Sequence, residues 1–112
     1  MAGTIKRIAG PLALTTALTT NVYNNTSALI YDVIRHIHIA NKTGTAATFT
    51  LYLGATGANA AGTELWGAKS VAANDAFDWY GVLKMVSTDF LVGGAGTTTA
   101  LVITIMGEQN VV

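Results

Sequence analysis

Residues 33–53 read VIRHIHIANKTGTAATFTLYL, two runs of alternating β-branched and aromatic residues around a polar centre. In the first run Val33, Arg35, Ile37 and Ile39 fall on one side of an extended chain, and Ile34, His36, His38 and Ala40 on the other. In the second, Phe49, Leu51 and Leu53 oppose Thr48, Thr50 and Tyr52. The segment Asn41-Lys42-Thr43-Gly44-Thr45 supplies turn chemistry between them, so the stretch is expected to fold as a β-hairpin with one wet face. It offers no chemistry on which to found an enzyme.

The same texture continues on both sides. Residues 17–23 suit a first strand, with Leu18 and Val22 as its apolar positions, and Asn24-Asn25-Thr26-Ser27 reads as a turn. After the hairpin, residues 54–62 have the composition of a surface loop. A short strand over 63–66 is expected to break at Gly67-Ala68. Asn74-Asp75 marks another turn before an alternating run in which Phe77 and Trp79 share one side and Asp78 and Tyr80 the other. Phe90 and Val92 lie on one face of the next strand, and Gly93-Gly94-Ala95-Gly96 is expected to be a turn. In the last strand, over 98–106, Leu101, Ile103 and Ile105 oppose Ala100, Val102, Thr104 and Met106; apolar character on both faces predicts a central strand.

Seven or eight short strands at this spacing, with no long helical period, point to a sandwich or small barrel. The expected fold is all-β: a single antiparallel β-sandwich over residues 17–107, with jelly-roll connectivity as one option. Its core would hold Ile37, Ile39, Phe49, Leu51, Phe77, Trp79, Phe90, Leu101 and Ile103. Residues 1–16, punctuated by Gly3, Gly10 and Pro11, read as an extended N-terminal arm that orders on a neighbour, with an ordinary edge strand or a frayed terminus as the alternatives. Residues 108–112 read as a short tail.

The chain's 112 residues suffice for one core and not for two. Cysteine is absent, so neither disulfides nor thiolate metal sites contribute. The formal net charge is zero and 11% of residues are charged, against roughly 25% in ordinary soluble domains. A direct nucleic-acid binder would carry a basic stripe, and this chain has none. Near-neutrality also removes the repulsion that keeps monomers apart, which suits a protein held against others; a small β protein covered in small polar residues is the plainer account. No apolar run reaches the about 18 to 20 residues of a membrane helix. The basic pair Lys6-Arg7 leads into no signal-like apolar segment, so synthesis in a cytoplasm is expected, with no membrane partner.

His36 and His38 form an H-x-H pair on one strand face. Such a pair holds zinc only when a further ligand arrives from another strand, and the acids within consideration are Asp32, Asp78 and Asp89. The expectation is two polar-face histidines at a subunit contact, with no metal and no other cofactor; copies meeting at a symmetry axis would make assembly pH-sensitive. Asp75 and Asp78 are close in sequence but read as a turn residue and a wet-face residue, not as a catalytic pair. No G-x-S-x-G elbow and no phosphate-loop lysine accompany the serines or the Gly-rich segment. Trp66, Trp79, Tyr52 and Tyr80 are aromatic faces of the kind that line sugar sites, although core or interface roles suit them better.

The stretch from Ile34 to Leu53, a later segment Ser70-Val71-Ala72-Ala73-Asn74-Asp75, and a Gly-rich stretch before the last strand together resemble small β-sandwich structural proteins of tailed bacteriophage virions. The resemblance spans about residues 18 to 106. It implies a non-enzymatic virion component, most like a capsid decoration (cement) protein on the outer capsid surface, assembled in the host cytoplasm. Its partners would be the major capsid protein and copies of itself, as a trimer or other small homo-oligomer. Carried onto this chain, Lys6 and Arg7 would meet acidic capsid surface while Ile5, Ile8, Leu12 and Leu14 fill grooves. Small tail, baseplate or neck proteins and a carbohydrate-binding module are the alternatives.

Overall fold

The computed structural model describes residues 3–17, 21–25, 27–54 and 64–111. These form the strands β1 (Thr4–Ala13), β2 (Asn21–Asn24), β3 (Ile30–Asn41), β4 (Ala47–Gly54), β5 (Glu64–Val71), β6 (Ala76–Met85), β7 (Phe90–Ala95) and β8 (Leu101–Val111). They divide between two four-stranded antiparallel sheets, ordered β1-β8-β3-β6 and β2-β7-β4-β5. The sheets pack face to face as a β-sandwich around Leu14, Ile34, Ile37, Ile39, Phe49, Leu51, Met85, Leu91, Leu101, Ile103 and Ile105. Leu18, residues 55–63, Thr26 and Val112, on which parts of the sequence reading fall, lie outside the described residues.

The two runs of residues 33–53 are both strands, but they are not partners. β3 pairs with β6 and β8, while β4 pairs with β5 and β7 in the opposite sheet. The polar segment between them is thus an arch from one sheet to the other, not a hairpin turn. Asn41 fixes that corner. Its side-chain amide donates to the carbonyls of Thr45 (2.9 Å) and Val71 (3.1 Å), and its Oδ1 accepts from the Thr43 backbone N–H (2.9 Å) and hydroxyl (2.7 Å). Asn41 is buried, so these bonds keep polar backbone of the corner from being stranded in the apolar interior.

A bulge in β3 changes which residues face the core. Ile34 pairs with Gly107 and His36 with Met106, leaving Arg35 as the extra residue. The parity of the strand reverses there: Asp32 and Ile34 point inward before it, Ile37 and Ile39 after it. Val33 therefore joins His36 and His38 on the outer face, a grouping that simple alternation does not give.

β8 is central in its sheet, between β1 and β3, as its two apolar faces require. Segment 93–96 departs from expectation. Gly93, Gly94 and Ala95 belong to β7, and a Cβ on Gly94 would stand 2.5 Å from the Thr15 carbonyl oxygen. The Ala95 N–H donates to that same carbonyl (2.8 Å), so the glycine serves close backbone approach, not a turn. Leu91 takes the core position expected for Phe90, which is half-buried. Gly67-Ala68 does not end its strand either; the register shifts there and the Ala68 N–H donates to Thr50 Oγ1 at 2.9 Å.

The segment expected as an arm is mostly β1, the edge strand of the first sheet, paired along β8 from Thr4 to Ala13. Its apolar residues are divided. Leu14 is fully buried and Ile8 packs on the core, so neither is free to fill a groove on a neighbour. The expected tail is the end of β8, with Glu108, Gln109 and Asn110 paired to β3.

Candidate functional site

The outer face of the β1-β8-β3-β6 sheet collects the chemistry. Register sets its cross-strand rows: Ile5, Glu108, Val33 and Lys84 in one, Arg7, Met106, His36 and Tyr80 in the next, Thr104, His38 and Asp78 in the third. Ile5, Tyr80 and Val82 are 81%, 71% and 67% exposed, far more than large apolar groups on a covered face would be. Ile5, Arg35, Met106, Gly107 and Glu108 line a shallow depression of about 340 Å³. Arg35 and Glu108 form an ion pair across it at 3.6 Å. The face thus carries apolar side chains and both signs of charge together.

At its centre His36 and His38 turn to one atom. His36 Nε2 lies 2.7 Å from Asp78 Oδ1, and His38 Nδ1 lies 2.6 Å from the same oxygen. Strand geometry explains the convergence. Two residues apart on β3, the histidines share a face, and Asp78 on β6 stands directly opposite His38 and diagonal to His36. Tyr80 stacks on the His36 ring with centroids 4.3 Å apart and planes 8° from parallel, fixing the ring's orientation. Hydrogen bonds from His38, and then from His36, hold the Asp78 carboxyl below the usual carboxylate range. All three side chains remain partly open to solvent.

Of the residues singled out in the sequence, Ile5, Arg7, His36, His38 and Tyr80 meet on this face. Lys6 points elsewhere along β1, donating to Gln109 Oε1 at 3.2 Å, and Leu12 is partly exposed on the same edge strand. Trp66 is not part of the face. It sits on β5 among Phe49, Phe77 and Trp79, with ring centroids 5.5 to 6.2 Å away, where the edges of the two sheets come together. Met106, Glu108 and Val82 escaped the sequence reading because their place depends on strand order, which alternation does not reveal.

A second polar group lies between the sheets. Asp32 is fully buried on β3 and accepts from Tyr23 Oη of β2 (2.7 Å) and from Gln109 Nε2 of β8 (3.0 Å). Burial first, and then the Asp32 carboxylate, push the Tyr23 hydroxyl well above its ordinary pKa. Lys6, Gln109, Asp32 and Tyr23 therefore make a hydrogen-bonded chain from the outer edge to the opposite sheet. Its arrangement ties the layers together. Compared with known proteins, the chain matches no family model and no curated protein.

Proposed function

We propose that this chain is a non-enzymatic structural protein of a tailed-phage virion, bound to the outside of the capsid, where it stabilises contacts between capsomers. The observation that supports this most is the strand order. The interleaved order of the sheets, β1-β8-β3-β6 and β2-β7-β4-β5, supports a jelly-roll reading, an architecture used by viral capsid proteins and lectins. The lectin branch suits the residues less well, because Trp66 packs edge-on against both Trp79 and Phe77 instead of presenting a flat face.

In this reading the partners are the major capsid protein and further copies of the chain, joined as a trimer or other small homo-oligomer. The outer face of the first sheet joins the copies: its exposed apolar groups and mixed charges, Arg7 and Lys84 beside Asp78 and Glu108, make it complementary to itself. The β1 edge with Lys6 and Leu12 takes the role that an arm would have, lying against capsid protein. Binding that favours the expanded shell over its precursor stabilises the mature form by mass action. Assembly takes place in the host cytoplasm and involves neither direct nucleic-acid contact nor membrane.

Cryo-electron microscopy of the particle that carries the chain tests this. Density repeated over the shell at local symmetry axes, with β1 against capsid protein, is the expected result. Density confined to the tail, baseplate or neck would overturn the capsid assignment.

A further inference from the structure

We propose that His36, His38 and Asp78 form a binding site for one divalent transition-metal ion of the zinc class on the outer face of the first sheet. The three offer one ligand atom each, all within 4.8 Å of one another. Two imidazole nitrogens and a carboxylate oxygen are the donor set that zinc, nickel, copper and ferrous iron accept, whereas magnesium and calcium prefer all-oxygen sites.

Geometry carries the assignment. Both rings aim a nitrogen at the same oxygen, at 2.7 and 2.6 Å, so their lone pairs converge on one small volume once the ring protons leave. In a tetrahedral centre with bonds of about 2.0–2.1 Å, donor atoms stand about 3.3 Å apart. Asp78 Oδ1 reaches that spacing from each nitrogen by withdrawing about 0.6 Å, a small change for an exposed side chain at a rotatable Cα–Cβ bond. The two nitrogens, within 4.8 Å of each other, adjust by turning about their own side-chain bonds. The two imidazoles come from a strand paired on both sides, and the carboxylate from its paired neighbour, so the backbone holds the ligand positions before any ion arrives. The stacked Tyr80 ring restrains His36, as partners of metal-binding histidines do. Partial exposure of all three leaves the remaining coordination positions to water or to a group from another molecule.

The chain has two histidines, so its imidazole NMR resonances report on this cluster without any substitution. Zinc chloride titrated into the untagged, full-length chain is expected to shift both imidazoles and to saturate at one ion per chain by calorimetry. Asp78→Asn and His38→Gln, which keep side-chain size, are expected to weaken zinc binding roughly tenfold or more. Glu108→Gln, an acid on the same face outside the cluster, is expected to leave it unchanged, and zinc is expected to raise the Tm of the unaltered chain. Imidazole resonances unmoved by excess zinc would overturn the proposal even if a variant failed to fold. So would affinity that survives Asp78→Asn, or saturation at a fraction of an ion per chain. The site stands independently of the virion reading, since every measurement uses the isolated chain.

Discussion

Asn41 and Tyr23 both bond into the interior, for different reasons. Asn41 satisfies the carbonyls of Thr45 and Val71 at the corner where the chain changes sheets. Replacing it with alanine takes a donor from the buried Val71 carbonyl and the Oδ1 acceptor from the Thr43 N–H, so Asn41→Ala is expected to cost about 1–3 kcal/mol in urea denaturation. The neighbouring Lys42 is exposed, and Lys42→Ala should stay within about 0.5 kcal/mol. Tyr23 makes a pH prediction. Its hydroxyl is held protonated above the ordinary tyrosine value by burial and by Asp32. In the unfolded chain it ionises near pH 10, so above that pH the unfolded state binds fewer protons than the folded one. The stabilisation is complete below about pH 10 and is lost as pH rises further toward the folded value. Urea midpoints measured at pH 8 and pH 11 should therefore fall less in Tyr23→Phe than in the parent. Equal alkaline losses would show that another group governs the slope.

The bulge at Arg35 makes a prediction at the level of the strand. Because it reverses parity, Ile34 and Ile37 both reach the core although they stand three positions apart. Deleting Arg35 removes the extra residue and leaves Ile34, His36 and Ile37 in strict alternation, with both isoleucines still directed at the core. The deletion is expected to keep a cooperative thermal transition by circular dichroism, at a lower Tm because the bulged pairing with β6 and β8 is lost. Arg35→Ala should cost under about 1 kcal/mol, because its ion pair with Glu108 is long and its side chain is 52% exposed. Loss of the cooperative transition would show that the bulge governs more of β3 than the direction of its side chains. These elements also mark what the sequence can and cannot reveal. Alternation at Ile37, Ile39, Phe49, Leu51, Leu101 and Ile103 places six core residues correctly, because burial on one sheet face writes itself as a period of two. Adjacent Val33 and Ile34 fit either face, so the parity change at Arg35, just after them, leaves no local mark. A hairpin and an inter-sheet arch require the same alternating runs and the same polar corner, and long-range pairing alone separates them. Gly94 reads as a turn residue for a similar reason: the backbone it accommodates, Thr15, is distant in sequence. The H-x-H pair was legible as a cluster, but the choice of Asp78 over Asp32 and Asp89 was not. It follows from β6 lying beside β3, which turns Asp78 outward while Asp32 is buried under the opposite face.

For the whole molecule, the question is what meets the outer face of the first sheet. Ile5 on β1 and Val82 on β6 stand on its opposite edge strands, and both are more than two-thirds exposed. Full burial of such a side chain is worth about 1.5–3 kcal/mol, so two of them on each copy would contribute substantially to the proposed association. Formal neutrality at pH 7 means that little long-range repulsion opposes it. The double variant Ile5→Glu, Val82→Glu puts unpaired carboxylates into that contact while leaving His36, His38 and Asp78 untouched. Since neither side chain packs in the core, the isolated fold should keep its urea midpoint to within about 0.5 kcal/mol per site. Sedimentation equilibrium of the parent should give a small oligomer, and of the double variant a monomer. An oligomer that persists in the folded variant would move the contact to another surface. A parent that sediments as a monomer would remove self-association from the proposal and leave the face to the capsid protein alone.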